Sequence, residues 1–371
     1  MATGETVERA GNPALQIARG AWGWIDSRLG LRALTYHVPA YANRLPYLLG
    51  GITLVGIVIL IGTGIYLAQF YHPDPADAHA SMIYIINEAQ LGDFLRGVHY
   101  WTSNIVVVTL LFHIGRVLIW GAYRAPREVT WLAGIGLLVV MMGLFFTGTV
   151  LKWDQEAFEA LAHNEEIGNL LGGLGAWFTT EFSRGTSLLS RVYTAHVTIL
   201  PALLTLVVAA HLLLVRHHGI APRPGEKEEE VKEEVRAAEL GQPAVEVSHF
   251  DVHLRKIAGY GLLLTAVAIV LALLLSPPLG PPPIPGEEVT KPPWVFIWLY
   301  PFENWWGLTA LLWIPIGLVL ALAVIPFLDR TPFKSLRKRW LLLFLVAAVF
   351  AAIVAFGFYG RVITPAAHLV E

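Results

Sequence analysis

Apolar residues in this chain neither alternate with polar ones, as on a half-buried strand, nor recur every third or fourth position, as on an amphipathic helix. They run on without interruption. Seven stretches, 45–71, 97–115, 129–151, 192–215, 257–275, 304–328 and 340–360, hold no Asp, Glu, Lys or Arg. About 20 apolar residues in a helix cross the hydrocarbon of a bilayer, so the pattern predicts seven transmembrane helices and an all-α integral membrane protein. Residues 1–44, with Arg19, Arg28, Arg32 and Arg44, precede the first span. They do not look like the short leader of a cleaved signal peptide, and the N-terminal segment is expected to remain, with a possible surface helix.

The charges orient the spans. Lys and Arg number five in the N-terminal segment, three between spans two and three, seven between four and five, and five between six and seven. The other loops and the C-terminal end share six. This imbalance predicts a cytoplasmic N-terminus. Composition agrees, with 55% hydrophobic and 15% charged residues and a mean hydropathy of +0.57. A net charge of −2, without an aromatic-interleaved basic patch outside the flanking loops, gives no sign of nucleic-acid binding. The lack of cysteine excludes disulfides, iron–sulfur ligation and thioether-linked haem within this chain.

Composition also divides the chain. APRPGEKEEEVKEEVRAAELGQP, between spans four and five, reads as a solvated helix or linker. The expected units are an N-terminal segment 1–46, a four-helix part 47–216, a linker 217–250 and a three-helix part 251–371. SPPLGPPPIPGEEVTKPP, between spans five and six, is expected to be extended with short turns.

Four histidines stand out. His99 and His113 are fourteen residues apart on the second span, which returns them to within about 40° of one face and separates them by about 21 Å. His196 and His211 are fifteen apart on the fourth span, about 60° round and 22 Å along. Both spans run from outside to inside, so His99 and His196 share the outer level and His113 and His211 the inner one. One imidazole from each helix at each level suits bis-histidine ligation of a flat metal cofactor, giving two haems. A zinc site needs three or four ligands converging on one point. The competing reading is interhelical hydrogen bonding; four ionisable groups at matched depths argue for function instead. The other nine histidines, His163 among them, fall in loops or at span ends, where solvation suffices. Gly50 and Gly64 on the first span, and Gly134 and Gly148 on the third, repeat the fourteen-residue interval. Missing side chains there would let a ring approach the backbone; close helix packing is the alternative.

The ladder, the glycine pairs and the strings RGVHYW, FHIGRV, APREVTW, TGTVLKWDQ and RVYTAHVTILP resemble the cytochrome b family of cytochrome bc and b-six-f complexes. LGGITL and the fifteen-residue step are similar to the shorter b-six subunit. The last three spans, with PFLDRTPFKSLRKR, resemble its three-helix companion, subunit IV, fused through the charged linker. The resemblance implies two non-covalent b-type haems, the outer on His99 and His196 and the inner on His113 and His211, with Arg96 and Arg116 meeting propionates. Leu48 stands where b-six subunits carry a haem-tethering cysteine, so no covalently tethered haem is expected. Tyr100 replaces a second family arginine.

The quinone sites depart further. Where the family has Pro-Glu-Trp-Tyr at the outer quinol site, this chain reads Pro292, Pro293, Trp294, Val295. Proline cannot take the proton that a glutamate accepts from quinol. Glu287, Glu288 and Glu303 are substitutes by position, with Glu303 the first to test, although each also reads as a solvated loop carboxylate. Arg216 matches an arginine near the inner quinone pocket, with Asp251 and Lys256 as further candidates. The implied function is the di-haem subunit of a homodimeric quinol:cytochrome c oxidoreductase, working with a Rieske iron–sulfur protein and a c-type cytochrome. Two rivals remain: a di-haem quinone reductase module without bifurcation, and a non-redox transporter or structural subunit.

Overall fold

In the structure, a computed structural model, residues 23–25, 27–28, 36–244, 246–329 and 336–364 are described. Most of the segment expected to carry a surface helix, 1–46, lies outside them. The helices are α1 (Leu45–Leu67), α2 (Ala78–Asn87), α3 (Gly92–Trp120), α4 (Glu128–Val150), α5 (Gln155–Leu170), α6 (Leu188–His218), α7 (Glu228–Glu239), α8 (Phe250–Leu274), α9 (Tyr300–Trp306), α10 (Leu308–Leu328) and α11 (Trp340–Val362). Seven of these, α1, α3, α4, α6, α8, α10 and α11, are long and apolar enough to cross a membrane. They coincide with the seven expected stretches, and the chain is a multi-pass membrane protein. Helix α3 begins a turn before its uncharged stretch, because the guanidinium of Arg96 is buried and donates to Pro277 O at 2.7 Å.

Helices α1 and α3 pack together, α4 packs on α6, and α8 lies along both α1 and α3. Small residues set these distances. A Cβ on Gly97 would come within 2.9 Å of Ala272 Cβ, so α8 runs against the α3 backbone there. Midway between the two histidine levels, Ile57, Val106, Leu110, Val140, Met141 and Leu204 form a packed apolar layer. It closes the bundle between the upper and lower sites.

At the end where α1 begins, here called inner, β1 (His37–Pro39) pairs antiparallel with β2 (Val247–His249). Helix α7 buries none of its side chains fully, as a solvated segment should, yet Glu228 pairs with buried Arg127 at 2.8 Å. At the same end Asp329 accepts from Tyr123 Oη (2.5 Å), Arg124 Nη2 (2.7 Å) and Arg339 Nε (2.9 Å), joining the α3–α4 connection to the chain around α10 and α11. The outer end carries α2, α5, α9 and the proline-rich segment 276–293.

Candidate functional site

Each of the four singled-out glycines faces one of the four histidines. A Cβ on Gly64 would lie 3.4 Å from His99 Cε1, on Gly148 3.0 Å from His196 Cε1, on Gly50 3.0 Å from His113 Cε1, and on Gly134 3.5 Å from His211 Cε1. The glycine interval thus provides clearance at the imidazoles, beyond any role in helix packing. On α6 the unequal spacing has a local cause. Residues Ala195–Ile199 form a π-helical turn, followed after Leu200 by Pro201, which lacks the N–H of a regular ladder. Such a turn absorbs one residue, so His196 and His211 are offset about as fourteen regular residues would be, as on α3.

Hydrogen bonds fix the tautomers of the outer pair. Thr63 Oγ1 donates to Ile59 O and Thr147 Oγ1 to Gly143 O, both at 2.8 Å. Each hydroxyl, its proton committed, accepts from a histidine: His99 Nδ1 lies 2.9 Å from Thr63 Oγ1, and His196 Nδ1 2.9 Å from Thr147 Oγ1. The protons therefore sit on Nδ1 and the Nε2 lone pairs are free to bind a metal. The two ring centroids are 6.4 Å apart. A metal between two imidazoles, with bonds of about 2 Å and centroids about 1.1 Å beyond each nitrogen, calls for roughly 6 Å. The outer pair fits a bis-histidine iron.

At the inner level His211 Nδ1 donates to the backbone oxygen of Thr130 at 3.1 Å, while His113 Nδ1 is buried without a hydrogen-bond partner among the described residues. Arg116 lies over Tyr47 and Trp120, 4.0 and 4.6 Å from their ring centroids. Its buried Nε and Nη2, like Arg96 Nε at the outer level, have no hydrogen-bond partner among the described residues. Unpartnered buried guanidinium hydrogens suit carboxylates such as haem propionates.

A cavity of about 820 Å³ joins the outer pair to the proline-rich segment. His99, His196, Gly64, Gly148, Arg96 and Tyr100 line one part; Pro292, Pro293, Trp294 and Ile297 line another. Trp294 Nε1 donates to Asn104 Oδ1 at 2.5 Å, and Pro293 O accepts from the amides of Phe296 and Ile297. Val295 is not in the wall. The segment is held by α5: Asp154 Oδ2 accepts from Gly280 N, Gln155 Oε1 from Ile284 N, and Glu159 from the amides of Val289 and Thr290.

Glu303 is buried, 3.0 Å from His163 Nε2, with Glu288 on the same nitrogen at 3.3 Å. Burial alone would lower the His163 pKa. The hydrogen bond and charge of Glu303, the Glu159 carbonyl and the charge of Glu288 prevail and push it up to about 9. His163, Glu288 and Glu303 are therefore an internal ion cluster, where solvated loop side chains were expected; Glu287 is exposed. Glu303 does not line the cavity. Among the described residues the carboxylate that does is Glu156, which carried no signal in the sequence.

Comparison with known proteins supplies the family. The sequence model described as "Cytochrome b(N-terminal)/b6/petB" matches residues 104–283. The menaquinol:cytochrome c reductase cytochrome b subunit of Geobacillus thermodenitrificans is 35% identical over 216 residues, 54% of this chain and 96% of that protein. The chain belongs to the cytochrome b family. Cytochrome b6 of Heliobacterium modesticaldum is 34% identical over 208 residues, 53% of this chain and 98% of its own length. A solved structure described as "Hyperthermophilic respiratory Complex III" matches in fold with a TM-score of 0.76 and 24% identity, over 94% of this chain and 93% of the other. As a cytochrome b, this is a b-type haem protein.

The remaining candidates of this cytochrome b lie near the inner end. Arg216 stacks on Tyr36, 3.4 Å from the ring centroid, and Tyr36 stacks on Phe250, next to Asp251. Asp251 pairs with Arg255 at 2.9 Å, and Lys256 donates to Asn43 O at 3.1 Å. Among the described residues no hydrogen bond or ion pair joins Arg216, Asp251 and Lys256. Leu48 is fully buried in a cluster with Ile52 and Leu264.

Proposed function

We propose that this cytochrome b is the di-haem subunit of a quinol:cytochrome c oxidoreductase, with quinol oxidised at the outer cavity and quinone reduced near the inner end. The observation that carries the reading is the shared outer cavity, whose wall includes both the His99/His196 pair and the Pro292–Trp294 turn. A b-type haem, when bound, supplies a one-electron carrier at each level. The chain's part is to hold and insulate. His99 and His196 present Nε2, and Thr63 and Thr147 keep the opposite nitrogens protonated. Arg96 and Arg116 supply unspent donors for propionates, and the apolar layer around Val106 and Met141 excludes water between the levels. The turn at Pro293 and the Trp294–Asn104 hydrogen bond shape the quinol end of the cavity.

Two non-covalent haems, a Rieske iron–sulfur protein, a c-type cytochrome and a homodimeric complex in a prokaryotic plasma membrane, N-terminus in the cytoplasm, belong to this proposal. So does the division into a 47–216 haem unit and a 251–371 companion unit. Purification in mild detergent tests it. Two extractable haems per chain, a co-purifying Rieske subunit and hydroquinone-driven reduction of cytochrome c are expected. A complex that accepts electrons only from a protein donor, and never from hydroquinone with Rieske protein present, would instead be the quinone reductase module that Pro293, in place of a glutamate, also suggests. A haem-free chain would leave the non-redox reading.

A further inference from the structure

The outer cavity carries Arg96, Lys152, Lys291 and Arg361 in its wall and, among the described residues, one carboxylate, Glu156. Glu156 belongs to the first turn of α5, the helix that grips the proline-rich segment through Asp154, Gln155 and Glu159. Its neighbours have their oxygens committed. Asp154 Oδ1 caps α5 by accepting from Ala157 N, and Asp154 Oδ2 holds Gly280 N. Glu159 is bound to loop amides and to Gln155. Glu156 instead has Oε2 held by Lys152 Nζ at 2.8 Å, and no partner on Oε1 among the described residues. Its side chain is 26% exposed, so water can reach it. Lys152 is oriented between Glu156 and Asp154, 3.3 Å from the latter. Burial weakens its ammonium, but the two carboxylates more than compensate and raise its pKa, so it stays charged.

We propose that Glu156 is the base of the outer quinol site, taking the first proton of a bound hydroquinone on Oε1. The O–H bond of one quinol hydroxyl breaks, its proton forms a carboxylic acid on Glu156, and the bonding pair remains on the quinol oxygen as a hydroquinone monoanion. No oxidant enters this step. Electron removal follows as part of the quinol reading above, on which this inference rests. The assignment places a carboxylate in the cavity wall that Pro293 also lines, a wall to which Glu287 and Glu288 of the loop do not contribute. Lys152, on the far oxygen, fixes the orientation; Lys291 and Arg361 lie in the same wall and favour the anionic quinol.

The purified wild-type complex, E156Q and E156D would be compared with a short-chain naphthohydroquinone as donor and a soluble c-type cytochrome as acceptor. In E156Q, kcat is expected to fall by about 100- to 10,000-fold, the range of a positioned general base, with a smaller change in KM and wild-type haem spectra. E156D should recover part of the rate. Independently of turnover, infrared difference spectra on adding the hydroquinone should show the C=O stretch of a protonated carboxylic acid in the wild type and not in E156Q. Wild-type rate and pH profile in E156Q would overturn the assignment. So would persistence of the infrared band in E156Q, or its loss in Glu303→Gln while E156Q retains it. Should E156Q fail to assemble haem, E156D decides: an infrared band identical to wild type overturns the proposal, and a shifted one supports it. A wild-type complex that does not oxidise the hydroquinone at all defeats the proposed function, which is a separate result.

Discussion

The two levels of the histidine ladder use the same residues differently. The outer imidazoles are both oriented by threonine hydroxyls whose own protons are committed to the backbone. At the inner level one imidazole relies on a main-chain carbonyl, and the other has no protein partner on Nδ1 among the described residues. The outer pair also borders a large cavity roofed by a pinned loop, whereas the inner pair stands beside an arginine stacked on aromatic rings. A site that must admit a diffusing substrate next to a fixed cofactor gains from side chains locked in advance. The inner level rests its ligand orientation on backbone and packing, so mutation should separate the two.

Removing a ligand is the largest test. His99→Leu or His196→Leu should abolish the outer haem and hydroquinone turnover while the inner haem stays; His113→Leu should do the reverse to the haems. Pyridine haemochrome content and low-temperature spectra read the outcome, and fewer than two haems in undamaged wild-type protein would end the ladder reading. Thr147→Val comes next. Loss of an orienting partner typically costs about 10- to 100-fold in metal-site affinity, so the outer haem should be extracted more readily by apomyoglobin while the inner one is unaffected. Equal loosening of both levels would erase the contrast drawn above.

Glu159→Gln leaves both haem levels intact and attacks the roof. The buried carboxylate accepts from Val289 N and Thr290 N, and weakening charge-assisted hydrogen bonds of this kind costs about 1–3 kcal/mol. Hydrogen exchange over 276–293 should rise in this variant, with inner-end amides unchanged. The smallest effect concerns His163. Its folded pKa, about 9, lies above the reference 6.5, so its stabilising contribution is complete below about pH 6.5 and is lost as pH rises through about 9. The wild-type complex should lose thermal stability between those values, and His163→Gln should flatten that slope. An unchanged slope would show that the cluster does not titrate in this range.

The spans were legible because a bilayer demands uninterrupted apolar length, a property of composition rather than of tertiary contact. The histidine and glycine intervals were legible because helical periodicity turns spacing into depth and direction. The fifteen-residue step on the fourth span was harder. Spacing put His211 about 60° from His196, and only the π turn before Pro201 shows how the offset is reduced. Glu156, Glu159 and His163 escaped because α5 is an extramembrane helix whose charges read as solvated. The partners of Glu159 and His163 lie more than a hundred residues away in the 276–303 region, a distance that no local pattern crosses, and only the cavity shows that Glu156, paired with nearby Lys152, faces it. The inner quinone candidates came through resemblance alone, and the structure sets Arg216, Asp251 and Lys256 against separate partners, Tyr36, Arg255 and Asn43.

The β1–β2 ribbon has a bearing on chain continuity. It stitches residues 37–39 to 247–249, just before α8, while α8 itself lies along α1 and α3. On these contacts the covalent path through α7 is expected to be dispensable for holding the parts in register. A break engineered between Glu239 and Glu246 should yield two polypeptides that co-purify, with the ribbon acting as a non-covalent splice; recovery of either half alone would show that the peptide bond is indispensable. Seen this way, one gene or two is a question of translation more than of architecture.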